Sequence, residues 1–350
     1  MTTNKNAVSK IEPFAIQMAH GAGGELMNKL IAESILKNLT SEKLGEVGLA
    51  DLDDGASISL GDKEIVVSTD SYTISPIFFP GGDIGKLAAC GTINDISVMG
   101  AKPIALASAI ILEEGFPIAD LEKIIRSMNT SCRESGVSVI TGDTKVMQRG
   151  AIDKIVITTT GIGFADRGKV IKDSNLSAGD KIIVTGTVGD HGIALMSFRE
   201  GFGFETTLKS DVASLWHMIE KVLEIGGITA MRDPTRGGLS AALNDWARKS
   251  NTGIVIYEEK VPLREEVVAA SEMLGIDPFT VANEGKVIMG VRPDKAQVVL
   301  RAIRATELGS EAQIIGEATD RHIGKVILNT AVGGKRIIEP PSGDPIPRIC

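Results

Sequence analysis

Five aspartates carry the first chemical signal in this sequence: Asp53, Asp54, Asp70, Asp95 and Asp143. They lie in separate segments, each at a turn, a strand end or a conspicuous helix position. Magnesium takes oxygen ligands and is usually shared between a few carboxylates and substrate phosphates. Acids dispersed in this way therefore favour nucleotide-dependent phosphoryl transfer over a merely solvated acidic surface. Lys145, beside Thr144 and two residues after Asp143, can balance phosphate charge. His20-Gly-Ala-Gly-Gly24 leads into the apolar-periodic segment 25–31, so Gly21, Gly23 and Gly24 read as a loop feeding a helix N-terminus, which can offer backbone N–H groups to phosphate; a merely flexible turn is the competing reading. It is not a Walker A loop, because the Gly-Lys-Ser/Thr ending is missing. Arg232-Asp-Pro-Thr-Arg236-Gly237-Gly238 sets two arginines and two glycines at a helix start, an anion-site pattern. Asn283-Glu284-Gly285 stands just before a strand.

A different chemistry is offered by the last ten residues, Pro341 to Cys350. A terminal cysteine is not held from both sides as a core residue would be. Pro340, Pro341, Pro345 and Pro347 oppose regular helix or central strand and favour an extended arm. Ten such residues span about 30 Å, enough to carry a thiol from the body into a cleft. The competing reading is a frayed chain end.

The elements that position these groups follow from the pattern. The 350 residues predict one large domain or two ordinary ones, and 43% hydrophobic content is ample for a core. Lys plus Arg is 37 against 45 Asp plus Glu, which argues against a general nucleic-acid binder. Cys90, Cys132 and Cys350 are odd in number and unpaired in spacing, so a disulfide framework is not expected and a reducing cytoplasm fits best. No signal peptide or membrane span is expected. A hairpin is predicted over 56–70 with a Gly61-Asp62 turn, leaving Asp70 at a strand end. Asp83 is the expected N-cap of a helix ending at Gly100, which holds Asn94 and Asp95 inside a small-residue run where both are locally unfavourable. Strands are predicted at 103–112, 137–140 and 154–164, with a helix at 118–134 burying Cys132. Asp143 and Lys145 then follow the strand 137–140. After a turn-rich boundary near 166–179, strands at 181–186, 253–258, 286–291, 312–316 and 324–329 alternate with helices at 239–249, 264–274 and 294–305. His191 reads as a polar turn residue or a catalytic one. Two related α/β halves are plausible.

These motifs have a resemblance. His20–Gly24, Asp53-Asp-Gly-Ala56, Ser68-Thr-Asp-Ser71, Gly91-Thr-Ile-Asn-Asp-Ile-Ser-Val-Met-Gly-Ala101, Thr141-Gly-Asp-Thr-Lys-Val146, Asp233-Pro-Thr-Arg-Gly-Gly238 and Asn283-Glu-Gly285 resemble the aminoimidazole ribonucleotide synthetase superfamily, which includes selenophosphate synthetase and thiamine-phosphate kinase. Pro347-Arg-Ile-Cys350 resembles one branch of it, the carbamoyl dehydratases of nickel–iron hydrogenase maturation. The resemblance implies a two-domain α/β fold: an arm with loop and helix (1–44), an ATP-binding and dimerisation domain forming a dimeric β-barrel (45–165), a C-terminal α/β domain (166–330) and a mobile tail (331–350). It implies ATP and magnesium, with Gly21, Gly23, Gly24, Asp53, Asp70, Asn94, Asp95, Asp143, Thr144, Lys145, Arg236 and Gly237 at the nucleotide. The metal ligands would be Asp53, Asp54, Asp70, Asp95 and Asp143. Cys350 would be carbamoylated by a carbamoyltransferase (HypF) and dehydrated to a thiocyanate, with Asp95, Glu284 and Lys145 as unranked candidates for moving protons. The cyanide would pass to iron on a HypC–HypD scaffold. Two alternatives stand beside this reading: an ATP-dependent synthetase or kinase of the same superfamily acting on a free small molecule, and an ATP-sensing scaffold. A selenophosphate synthetase would carry a reactive Cys or Sec near the N-terminus, and residues 1–30 have none.

Overall fold

The computed structural model describes residues 15–40, 43–200, 207–341 and 349–350. Residues 1–14 of the expected N-terminal arm and 342–348 of the expected tail lie outside them. The first half opens with a short helix α1 (Glu25–Leu30) after the glycine loop, then builds an open five-stranded sheet. Strands β1 (Ala56–Leu60) and β2 (Lys63–Tyr72) form the expected hairpin, closed by the pair Leu60–Lys63 with Gly61 at φ +63°. A small ribbon, β3 (Phe78–Phe79) with β4 (Gly82–Asp83), precedes helix α2 (Ile84–Val98). Asp83 caps α2 by accepting from the N–H groups of Gly85 (2.8 Å) and Lys86 (3.0 Å). Strand β5 (Lys102–Glu113), helix α3 (Ile118–Glu134) and strand β6 (Ser138–Met147) make a parallel β-α-β unit, and β7 (Ile155–Asp166) closes the order β1-β2-β7-β5-β6. α2 is buried along almost its whole length, and small residues let it lie close on the sheet: a Cβ on Gly161 of β7 would stand 2.8 Å from Thr92 Cγ2. α3 covers α2 with Ile124, Met128 and Cys132, worth about 1.5–3 kcal/mol for each large apolar side chain fully buried.

The second half holds a seven-stranded sheet. Its strands are β8 (Lys181–Val184), β9 (Ile228–Arg232), β10 (Gly253–Tyr257), β11 (Ile288–Val291), β12 (Gln313–Thr319), β13 (Val326–Asn329) and β14 (Lys335–Ile338), in the order β14-β13-β10-β12-β8-β11-β9. Helices α4 (Asp190–Glu200), α5 (Trp216–Ile225), α6 (Gly238–Lys249), α7 (Glu265–Leu274) and α8 (Ala296–Arg304) complete it. The two sheets differ in strand number and order, so the halves are not copies of one plan. One apolar core runs across their junction, from Tyr72, Ile74 and Leu87 to Val212, Leu215 and Met289.

Three local differences from expectation have physical causes. β6 continues through Thr141–Lys145 instead of stopping before it, because an edge strand paired only to β5 tolerates polar residues on both faces. His191 lies in the first turn of α4 and is fully buried, so it is not a turn residue. The segment after 331 begins with β14, antiparallel to β13, before Pro340 ends the pairing.

Candidate active site

The sheet of the first half and the helix-bearing loops of the second meet at a polar cavity of about 270 Å³. Its wall joins Asp53 and Asp54 from the loop before β1, Ser68, Thr69 and Asp70 from β2, Asp95 from α2, and Arg232 to Arg236 from the turn between β9 and α6. Asp95 is 8% exposed and accepts from Ser68 Oγ at 2.7 Å, which fixes the locally unfavourable helix residue to the strand. Gly23 also lines the cavity. Its φ is +75°, and a Cβ there would stand 2.6 Å from the Arg236 carbonyl oxygen, so the loop can lean on the arginine turn only with glycine. A Cβ on Gly24 would meet the Pro341 carbonyl, while Gly21 has open space around it. Gly237, at φ +77°, is the N-cap of α6.

Two cations serve four of the acids. Arg232 pairs with Asp173 (2.6 Å), Asp54 (3.4 Å) and Asp245 (3.4 Å). Lys249 pairs with Asp53 and Asp173, each at 2.7 Å, and donates to the Leu52 carbonyl at 2.5 Å. Trp246 Nε1 gives Asp173 a further bond at 2.6 Å. Burial works to raise the Asp173 carboxyl, yet Arg232 and Lys249 hold it below the ordinary value. The cavity acids, Asp54 included despite its 3.4 Å contact with Arg232, are less fully supplied. Burial, then Asp70, Asp233 and Asp54, push Asp95 well above the usual carboxylate range. Burial lifts Asp54 in the same way against the pull of Arg232. Asp233 is pushed up to about 7 by burial and by Asp70, with Arg232 opposing. Among the described residues no three such groups converge tightly enough to hold a metal on their own. The donor set nevertheless fits a divalent cation that takes its remaining ligands from phosphate and water: carboxylate oxygens, mutually repelling and short of positive charge.

Outside the cavity lining, within electrostatic reach of Asp233, Asp70 and Arg236, stands Glu284, in the loop before β11. It is 3% exposed, its Oε1 has no hydrogen-bond partner among the described residues, and burial, Asp233 and Asp211 raise it well above the ordinary range. Asn94 does not face a ligand space. Its amide donates to the Ala213 carbonyl (3.0 Å) and that of Glu284 (3.4 Å) and accepts from the Leu215 N–H (2.8 Å), bracing the loops around Glu284. Ile349 and Cys350 are seated here. Ile349 is 3% exposed, Cys350 packs against the shared core, and the main-chain oxygen of Cys350 accepts from the Thr73 N–H at 3.3 Å. The charge at Cys350 is the leading cause that raises Arg236, followed by burial in opposition and then by Asp70 and Glu284. Arg236 thus joins the tail tip to the acid set.

Asp143, Thr144 and Lys145 are elsewhere. They lie exposed on the free edge of β6, where Lys145 Nζ is 3.7 Å from Asp143 Oδ2 and Asp143 Oδ1 accepts from the Thr144 N–H at 2.9 Å. One chain alone does not bring them to the cavity. The structure also adds residues that sequence reasoning passed over. Asp233 stands between Arg232 and Pro234 in the arginine–glycine segment, where type and spacing point to the arginines. Asp173 falls in a stretch that reads as a linker.

The arrangement of two α/β layers around a phosphate-type cavity matches a described class of proteins. Residues 52–165 match the AIR synthase related protein N-terminal domain, and residues 177–329 its C-terminal domain. A protein of Methanocaldococcus jannaschii named for hydrogenase expression and formation is 54% identical over 96% of this chain and 99% of its own. The carbamoyl dehydratase HypE of Bradyrhizobium diazoefficiens is 45% identical over 96% of each. Among solved structures, a HypE–HypF complex superposes with a TM-score of 0.83 at 44% identity, covering 91% of this chain and 100% of the other. HypE in complex with ATP gives 0.80 at 40% identity, covering 96% and 100%. The chain belongs to the HypE family of AIR synthase-related proteins.

Proposed function

We infer that this chain uses ATP to dehydrate an S-carbamoyl group on Cys350 to a thiocyanate, a source of cyanide ligand in hydrogenase maturation. The observation that carries the reading is the seat of Ile349–Cys350 at Arg236, beside Asp70 and Glu284. A carboxamide oxygen is a poor leaving group. Attack of that oxygen on the γ-phosphorus, with release of ADP and loss of one N–H proton, gives an S-bound iminophosphate. Loss of the second N–H proton breaks the C–O bond, forms the nitrile and expels phosphate carrying the former carbonyl oxygen. Glu284 suits the proton step, because its burial raises its proton affinity and its Oε1 has no competing donor among the described residues. Arg236 steadies negative charge at the same place, and Gly23 with the N-terminus of α6 offers backbone room to phosphate. Asp54, Asp70, Asp95 and Asp233 would hold magnesium, whose chemistry is to neutralise the phosphates.

The relative solved with HypF supports a carbamoyltransferase of that kind as the donor for Cys350. We further propose a homodimer. The outer face of the first sheet exposes Ile58 and Phe164, and the β6 edge exposes Ile140 and Val146, all features a second copy would cover. The single-chain sheet is open, so a closed barrel would need that second copy, which would also deliver Asp143, Thr144 and Lys145 to the partner's cavity. A HypC–HypD iron scaffold as acceptor and a cytoplasmic location belong to the same proposal; no helix among the described residues is long and apolar enough to cross a membrane. The test is mass spectrometry of the Cys350 peptide after incubation with HypF, labelled carbamoyl phosphate and ATP. The expected product is carbamoyl minus water on Cys350. The label on Cys90 or Cys132, or thiocyanate from Cys350→Ala, overturns the reading.

A further inference from the structure

His191 is fully buried in the first turn of α4, yet both ring nitrogens are engaged. Nε2 lies 2.8 Å from the Ile349 carbonyl oxygen and Nδ1 lies 2.7 Å from Ser210 Oγ. A carbonyl only accepts, so Nε2 carries the hydrogen. Nδ1 of the neutral ring then accepts the Ser210 hydroxyl, whose oxygen in turn accepts the Val212 N–H at 3.1 Å. The network leaves one tautomer. It is held from outside as well: the Ser210 N–H donates to the Pro80 carbonyl at 2.8 Å, and Phe79 packs edge-on to the imidazole with centroids 5.8 Å apart. On the other side of the Cys350 Cα, the Thr73 N–H holds the Cys350 oxygen. The main-chain oxygens flanking that Cα are thus gripped from opposite halves of the molecule, and the Ile349 side chain between them is buried.

We propose that His191 is a positioning residue for the dehydration: its Nε2–H fixes the Ile349 carbonyl and thereby the direction in which the Cys350 side chain enters the cleft. This rests on the reading of Cys350 as the carrier. A core histidine that only supports packing would lie just as deep, but it would not care which tail rotamer forms, and its role would not be restored by a residue that merely keeps the donor.

The experiment uses the full chain with HypF, carbamoyl phosphate and ATP, comparing His191→Phe and His191→Gln, since the glutamine amide nitrogen can reach about where Nε2 lies. Carbamoyl transfer to Cys350, chemistry done on the partner, stays within about twofold in both. Single-turnover loss of water from the carbamoylated peptide falls about 100-fold in His191→Phe, the cost of misplacing a reacting group by about 1 Å, and recovers to within about tenfold in His191→Gln. Without HypF, alkylation of Cys350 by iodoacetamide accelerates in His191→Phe and not in His191→Gln. Wild-type dehydration by His191→Phe, or folded His191→Gln no better than it, overturns the proposal. If His191→Phe does not fold, Ser210→Ala replaces it: it frees the ring to turn, so faster alkylation of Cys350 supports the role and unchanged alkylation overturns it. If the unaltered protein forms no thiocyanate, the functional reading fails by itself. Alkylation then decides the role of His191: protection lost in the phenylalanine variant supports it, and equal reactivity refutes it.

Discussion

The acids around Asp173 and those around Asp95 adjoin one another, share Asp54 as a neighbour, and behave in opposite ways. Asp173 has Arg232, Lys249 and the Trp246 N–H, and is held low. Asp95 has one serine hydroxyl and three acidic neighbours, and is held high. Burial is common to both, so burial alone does not make a buried carboxylate structural or chemical. The difference lies in whether the chain itself supplies the counter-charge. Where it does, the acid ties loops together; where it does not, the shortage of positive charge is what the proposed magnesium and nucleotide would answer.

That contrast can be broken by substitution. Asp95→Asn should lower ATP turnover about 10³-fold, the scale of removing one group aimed at developing charge, while leaving the unfolding midpoint of the ligand-free protein level or higher. A midpoint lowered as far as that of an Asp173 variant would erase the distinction. Asp173→Asn leaves Arg232 and Lys249 with too little negative charge and should cost about 3–5 kcal/mol in urea unfolding; a loss below about 1 kcal/mol would mean the hub is not structural.

Acidity sharpens the same contrast. Between the ordinary carboxylate value of 3.8 and its folded value of about 7, Asp233 binds more protons folded than unfolded. Its contribution is therefore fully present below the ordinary value and declines as pH rises towards 7, at a slope of at most about 1.4 kcal/mol per pH unit. Asp173 runs the other way: its stabilisation is present above the ordinary value and disappears as pH falls through its lowered folded value. Denaturation of the ligand-free protein across that range should show a downward slope that Asp233→Asn flattens; an identical slope in the variant would remove Asp233 from the set. Magnesium with ATP should flatten it too.

The smallest effect on stability belongs to Lys145, exposed on β6. Lys145→Ala should shift unfolding by no more than about 0.5 kcal/mol and still reduce turnover. Mixing the impaired Lys145→Ala and Asp95→Asn chains should raise activity above that of either alone, since one site of the proposed mixed dimer then holds both native residues. Absence of that rise would place Lys145 outside the site.

Much of this was readable from residue type and spacing. The hairpin turn, the Asp83 cap, the buried face of α3 and the motifs holding Asp53, Asp70, Asp95 and Arg236 are local signals. What was not readable depends on partners remote in the chain. The hub at Asp173 is defined by Arg232 and Lys249, and the role of His191 by Ile349, 158 positions away. The full length of β6 is not legible because every residue of this edge strand is exposed and its middle, Thr141–Lys145, is polar, and β14 has three exposed residues out of four. Helix α5 did carry Trp216, Ile219 and Val222 at helical spacing, but ten residues give fewer than three turns of pattern.

The seating of Ile349 and Cys350 in their own chain's cleft also fixes the order of the kinetics. The group to be dehydrated arrives covalently attached, at an effective concentration set by tether geometry and not by how much protein is in the tube. No Michaelis constant exists for it. Once carbamoylated, a population of chains should convert by a first-order decay whose half-time is unchanged by dilution and saturable in ATP alone, down to the concentration at which the proposed dimer would separate.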